Sequence, residues 1–165
     1  MDYTSGAFDL DGTEDHPKHV QTTRAHQMAM YAVYFSPLQM LVDYPQAYES
    51  APDQFEFIQQ VPVTWDDTRF LKGEPGEYVA VARKKGDDWF VGVMNNEQNG
   101  RQVTLSLDFL DEGTDYTAHI YRDADDADQN PEQVTVEEQA AAAGDKHSVT
   151  LASGGGAAIW LEAMH

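Results

Sequence analysis

A mainly β fold is what the sequence predicts: a C-terminal antiparallel β-sandwich of Greek-key type, standing behind one long helix. Three observations carry this. From about residue 77 apolar and polar residues alternate with period two. Turn-forming pairs break the alternation at short intervals. Ahead of it, a single stretch, 24–43, repeats its apolar residues at steps of three and four. The first pattern places one face of an extended chain in a core, and the last places one face of a helix there.

Residues 1–20 read as loop, rich in Asp, Gly and His, with Tyr3 and Phe8 as separated aromatics. Thr22 or Thr23 then supplies the hydroxyl that accepts an unpaired amide of a first helical turn. Met28, Tyr31, Phe35, Leu38 and Val42 form one apolar face of the predicted helix 24–43, and Met30, Val33, Tyr34, Pro37 and Leu41 form a second strip. A helix apolar on nearly every side expects burial between two layers, and the first 50 residues cannot supply both. Pro37 adds an expected kink, because it lacks a backbone donor and crowds the turn before it.

Strands are expected at 77–84, 88–95, 101–107, 115–122, 132–137, 147–152 and 156–163. Gly86-Asp87, Asn99-Gly100, Glu112-Gly113 and the Gly154–Gly156 run separate them as turns. Seven short strands so spaced suggest a sandwich. Residues 138–146 read as a loop or one helical turn. The chain thus divides into 1–50, ending in the long helix, and 54–165, the sandwich.

Composition narrows the partners. Asp and Glu total 29 against 10 Lys and Arg, a formal charge of −19. A surface of that sign repels phosphate backbones and anionic lipid, so no nucleic-acid or membrane partner is expected. Acid spread along the chain with few lysines is what a salt-adapted protein shows, since salt screens the self-repulsion, and a halophilic origin in a high-salt environment is expected. There is no cysteine, hence neither disulfide nor thiolate chemistry. His16 and His19 stand three apart in a polar loop and do not read as metal ligands. No apolar run is long enough to span a bilayer, and residues 1–20 do not read as a signal peptide.

Three stretches together resemble glycoside hydrolase family 97. Asp2-Tyr3-Thr4-Ser5-Gly6-Ala7-Phe8-Asp9 is similar to a D-Y-T-P-G-x-F motif near the end of that family's catalytic barrel. Thr22 to Gln27 with Ser36 to Met40 resembles its late barrel helix, and Val61 to Arg69 followed by Gly76-Glu77-Tyr78 resembles the entry to its C-terminal β-domain. The resemblance implies that 1–50 is the remnant of a (β/α)8 barrel and 54–165 the C-terminal sandwich of an α-glucosidase or α-galactosidase. It also implies calcium in the intact parent, with the catalytic and calcium-binding glutamates upstream of Asp2, so no catalytic residue and no cofactor belong to this chain. Family members are often periplasmic or secreted. Ser5 stands where the motif has proline.

The resemblance places Asp2 and Tyr3 at the periphery of a substrate site. Among the tryptophans, Trp89 and Trp160 lie within strands and read as core, whereas Trp65 precedes Asp66 and Asp67 in an irregular segment and is the candidate for stacking on an oligosaccharide. Asp126, Asp128 and Asn130 fall at alternate positions of a calcium-loop template, but Pro131 occupies the place that needs glycine and the flanks read as strands. A loose calcium site there competes with a solvated acidic turn.

Two functions follow. One is the non-catalytic end of a glycosidase, bracing the barrel or supporting oligomerisation, with the remaining barrel or a second copy held through the 24–43 helix as partner. The alternative is a stand-alone carbohydrate-binding or interaction module. In either case the chain by itself is expected to be inactive.

Overall fold

The computed structural model describes residues 3–12, 14, 17–96 and 98–164. Its centre is an antiparallel sheet of six strands in the order β3–β4–β5–β10–β7–β8. These are β3 (Asp67–Glu74), β4 (Tyr78–Lys85), β5 (Asp88–Asn95), β7 (Tyr116–Asp123), β8 (Val134–Ala141) and β10 (Gly156–Ala163). A second layer is the antiparallel pair β6 (Arg101–Ser106) and β9 (Lys146–Leu151). The chain leaves the large sheet after β5, returns for β7 and β8, crosses again for β9, and inserts β10 between β5 and β7.

Alternation explains the layers. Val103, Leu105, Val149 and Leu151 point inward against Val91, Val93, Ile120, Ile159 and Leu161, making one core. Gln102, Thr104, Ser148 and Thr150 face water on the far side. The large sheet is apolar on both faces: Phe90, Tyr121, Ala158 and Trp160 point away from β6 and β9 into a second core with Phe8, Met28, Tyr31 and Phe57. A strand buried on both sides shows a nearly continuous apolar run, as β10 does in Ala157 to Leu161.

That second core is made by the N-terminal segment. It contains α1 (Arg24–Val33), α2 (Pro45–Glu49), α3 (Pro52–Gln60) and a two-residue parallel pair, β1 (Thr4–Ser5) with β2 (Met40–Leu41). α1 lies across β5 and β10 where small residues face it. A Cβ on Gly92 would stand 2.5 Å from the Ala29 carbonyl oxygen, and one on Gly156 would stand 2.5 Å from the His26 Cα. Gly92 pairs across the sheet with Ala158, so the helix backbone settles into a shallow trough.

Four sequence expectations change. The helix ends at Val33, not residue 43, and Tyr34 is already extended with ψ 133°. Pro37 disfavours helix at Ser36, and the Arg83 guanidinium takes the last carbonyls, donating to Ala32 O (2.5 Å) and Val33 O (2.9 Å). Phe35, Leu38 and Val42, assigned to a buried helical face, are consequently exposed. Residues 138–141 are strand, because the β7 backbone from Tyr116 to His119 offers a ladder that outweighs the helical preference of alanine. α2 and α3, each opened by proline in its first turn, and the edge strand β3 also lie outside the predicted elements. Proline at a first helical position followed by Phe55, Ile58 and Val61 was the available signal for α3.

Candidate functional site

Three polar clamps fasten the N-terminal segment to the sandwich, and all use buried side chains. The innermost is built on Asp123, at the end of β7 and only 2% exposed. Its Oδ1 accepts from the Thr23 hydroxyl at 2.6 Å. Its Oδ2 accepts from the backbone N–H groups of Ala152 and Gly156, both at 2.8 Å. Thr23 is also the N-cap of α1, accepting from His26 N at 3.2 Å, so one hydroxyl joins the helix start to the strand end. Burial pushes the Asp123 carboxyl above the ordinary carboxylate range, while its three donors oppose that rise.

His26 stands one turn along. Its Nδ1 donates to the Gly155 carbonyl at 3.0 Å, and burial lowers its pKa. A histidine depressed in the folded state contributes stability that is present above its unfolded pKa, near 6.5, and lost as pH falls through the folded value. Urea unfolding should therefore show wild type losing more stability between pH 7.5 and 5.5 than His26→Gln does. Parallel pH profiles for the two proteins would rule this out.

The second clamp is Arg24, which donates to Phe8 O through Nε (2.9 Å) and Nη2 (2.5 Å), to Gln54 Oε1 (3.0 Å) and to Glu132 Oε2 (3.0 Å). Glu132 in turn accepts from Leu10 N at 2.8 Å. The third is Arg83 of β4, which reaches the C-terminal carbonyls of α1 and the Thr68 hydroxyl, with its guanidinium over the rings of Phe35 and Trp65. A cation at the carbonyl end of a helix is favourable. Beyond the clamps, Asp43 accepts from Phe8 N (2.6 Å), Asp9 N (2.9 Å) and the Lys18 ammonium, pinning the loop after β1 to the residues after β2.

The residues singled out from sequence do not gather. Tyr3 precedes β1, with its hydroxyl on Met30 O at 3.4 Å and its ring edge-on to Tyr34. Asp2 lies outside the described residues. Trp65 is half-buried, its ring against Phe90 (5.7 Å between centroids) and below Arg83. Trp89 and Trp160 are buried as expected. Asn130 donates to Asp126 Oδ2 at 2.7 Å, while Asp128 accepts from Ser153 N at 2.8 Å and so caps the neighbouring turn. Among the described residues no three His, Cys, Asp or Glu side chains form a group that could hold a metal ion, and no helix is long and apolar enough to cross a membrane. Sequence reasoning gave neither Asp123 nor Arg83 a role. An arginine directly after the apolar run Val79 to Ala82 was the available sign of a buried cation.

Between α1 and α2 the N-terminal segment exposes an apolar band: Phe35, Leu38, Met40, Leu41, Val42 and Tyr44, with Leu38 and Tyr44 each 67% exposed. A groove of about 490 Å³ runs beside it, lined by Leu41, Pro45, Tyr48, Pro52 and Phe55. Among the described residues β1 and β2 pair only with each other, so each leaves an edge open.

Known proteins share this arrangement. Residues 64–162 match the family model described as glycosyl-hydrolase 97 C-terminal, oligomerisation. A retaining α-galactosidase of Bacteroides thetaiotaomicron is 34% identical over 167 residues, covering 98% of this chain and 25% of that protein. A probable retaining α-galactosidase of Streptomyces bingchenggensis is 35% identical over 92 residues, 56% of this chain and 14% of that one. Among solved structures, a glycoside hydrolase family 97 enzyme from Pseudoalteromonas sp. strain K8, in complex with acarbose, superposes with a TM-score of 0.93 at 40% identity, over 100% of this chain and 26% of the enzyme. The chain thus spans about a quarter of the length of these full-length relatives. With a matching family model over most of the sandwich, the chain belongs to the C-terminal, oligomerisation family of glycosyl hydrolase 97.

Proposed function

We propose that this chain is the closing part of a family 97 α-glycosidase: the last two strand–helix units of its catalytic barrel, followed by the sandwich that braces them. The observation that carries this reading is the parallel pair β1–β2, joined through α1 and followed by α2 and α3. Parallel strands with a helical crossover are the repeating unit of a (β/α)8 barrel, and such strands are buried on both faces. Two residues of parallel pairing with both outer edges open, beside an exposed apolar band, are the outline of a barrel whose other units come from elsewhere in the polypeptide. On this reading the boundary between barrel and sandwich follows α3, since Phe57 packs with α1 in one core.

The parent would hydrolyse α-galactosides, as the names of the relatives suggest, or α-glucosides. The chain itself has a bracing role: its buried acid, Asp123, and its buried cations, Arg24 and Arg83, are engaged in holding α1. The calcium implied for an intact enzyme would find its ligands upstream of the Asp2 to Asp9 motif. The described residues do not form a fitting set.

Two readouts test this together. The purified chain, given 4-nitrophenyl α-galactoside or α-glucoside with calcium in molar KCl, should release no nitrophenol above buffer. The reading frame upstream should continue through several more strand–helix units. Turnover proportional to protein concentration, or a frame closed immediately upstream, would overturn the proposal.

A further inference from the structure

We infer that the self-association surface of this domain is the β3 edge, with Phe70 of each copy seated in the groove beside Phe70 of the other. This rests on the family reading, which attaches oligomerisation to residues 64–162, and names the surface responsible. An interface between copies needs a large apolar anchor, close to the centre of the contact. Within 64–162, the large apolar side chains exposed among the described residues are Phe70, at 68%, and Val136, at 38%.

Val136 is poorly placed. It lies on β8, the opposite edge of the sheet, directly before Glu137 and Glu138, both exposed. Two copies meeting there would set carboxylates against carboxylates, which is how edge strands are kept from pairing. The outer face of β6 and β9 is polar, with Thr104 and Ser148 hydrogen-bonded to each other at 2.7 Å, and supplies no anchor.

Phe70 has a different setting. On one side a groove of about 640 Å³ runs between α1 and the β3–β4 hairpin, lined by Met30, Tyr34, Tyr78 and Met94. On the other, a groove of about 580 Å³ is more polar, lined by Thr104, Ser106 and Asp108 beside Leu71 and Phe109. A projecting ring next to an apolar groove is a knob beside its own hole. That is the self-complementary arrangement a two-fold contact requires. Charge agrees. Exposed Lys72 lies two residues after Phe70 and Glu74 lines the first groove, whereas Arg69 and Glu77 are held within one copy by Asp67 and Arg101. A two-fold can therefore bring Lys72 of one copy to Glu74 of the other. The register shift between Phe70 and Lys72 interrupts the strand, so the contact runs through side chains and not through an extended sheet.

The net charge of −19 opposes any association, and salt screens that repulsion. Sedimentation velocity of the chain in molar KCl should show a dimer that weakens as salt is lowered. Phe70→Glu should weaken it by about 30-fold or more while leaving the melting temperature in place, since the ring is exposed within one copy. Leu38→Glu, on the barrel-facing band, should leave the dimer intact. A dimer that survives Phe70→Glu, or one that Leu38→Glu breaks, overturns the surface assignment alone. A monomer at every salt and protein concentration overturns the assignment and the oligomerisation reading of this chain with it.

Discussion

Asp123→Ala should destabilise the chain by about 4 kcal/mol, because it strands three buried donors. Thr23 Oγ1, Ala152 N and Gly156 N all lose their acceptor. The hydroxyl among them is also the cap of α1, so the loss passes from the strand end into the helix. Each stranded donor costs about 1–3 kcal/mol, and release of a buried charge returns part of the sum. For a chain of this size that is a fall of about 10 °C in melting temperature.

Asp123→Asn separates hydrogen bonding from charge. The amide oxygen can accept both backbone N–H groups, so most of the stability should remain. Their pH profiles should also differ. The folded Asp123 carboxyl titrates above its unfolded value, so its contribution is fully present below about pH 4 and is lost as pH rises through the folded pKa. The asparagine variant lacks that slope. Calorimetric melts of the three proteins between pH 4 and 7 check this, and an alanine variant melting within 2 °C of wild type would remove Asp123 from the clamp.

Gly92→Ala is the second large effect, expected at about 2–3 kcal/mol. The new methyl would stand 2.5 Å from the Ala29 carbonyl oxygen and 2.7 Å from Val33 Cγ2. A side chain can turn away, but the carbonyl belongs to the middle of α1 and moves only with the helix. Lifting α1 opens the core that Met28, Ala32, Phe90 and Ala158 share, and overpacking of this kind costs about 1–3 kcal/mol. Replacing glycine by alanine in a strand is otherwise stabilising by about 0.4–1 kcal/mol, through the unfolded chain. The sign of the measured change therefore decides the matter: a melting temperature at or above that of wild type would mean that α1 does not rest on β5.

Much of the sandwich was legible because its strands carry their instructions locally. β5 and β10 begin and end at the expected residues, 88–95 and 156–163. In both, a long apolar run is bounded by turn residues, and turn chemistry acts over three or four positions. Thr23 was legible for the same reason, since a helix cap needs only its own first turn. The end of α1 was not. Its apolar spacing continues past Pro37; the proline limits the helix locally, but its end at Val33 also rests on a guanidinium 50 residues later in the chain. β8 ran four residues past its expected end because its pairing with β7 compensates for weak strand preference.

The clamps were the least legible part. Asp123 stands in an acidic run with Asp125, Asp126 and Asp128, and composition treats these alike. Only position separates them: Asp123 is buried against Thr23, 100 residues away in sequence, while Asp125 stands in solvent. The sequence by itself determined the β class, the seven strands from β4 to β10, the helix start at Thr23 and the family resemblance. Each of these depends on periodicity, turn chemistry or short motifs written within a few residues. Tertiary structure decided that α1 stops at Val33, a turn short of the limit Pro37 sets, that it lies on Gly92 and Gly156, and which charges are buried to hold it. Those outcomes depend on desolvation and close approach between segments far apart in the chain, and neither quantity exists until the chain has folded.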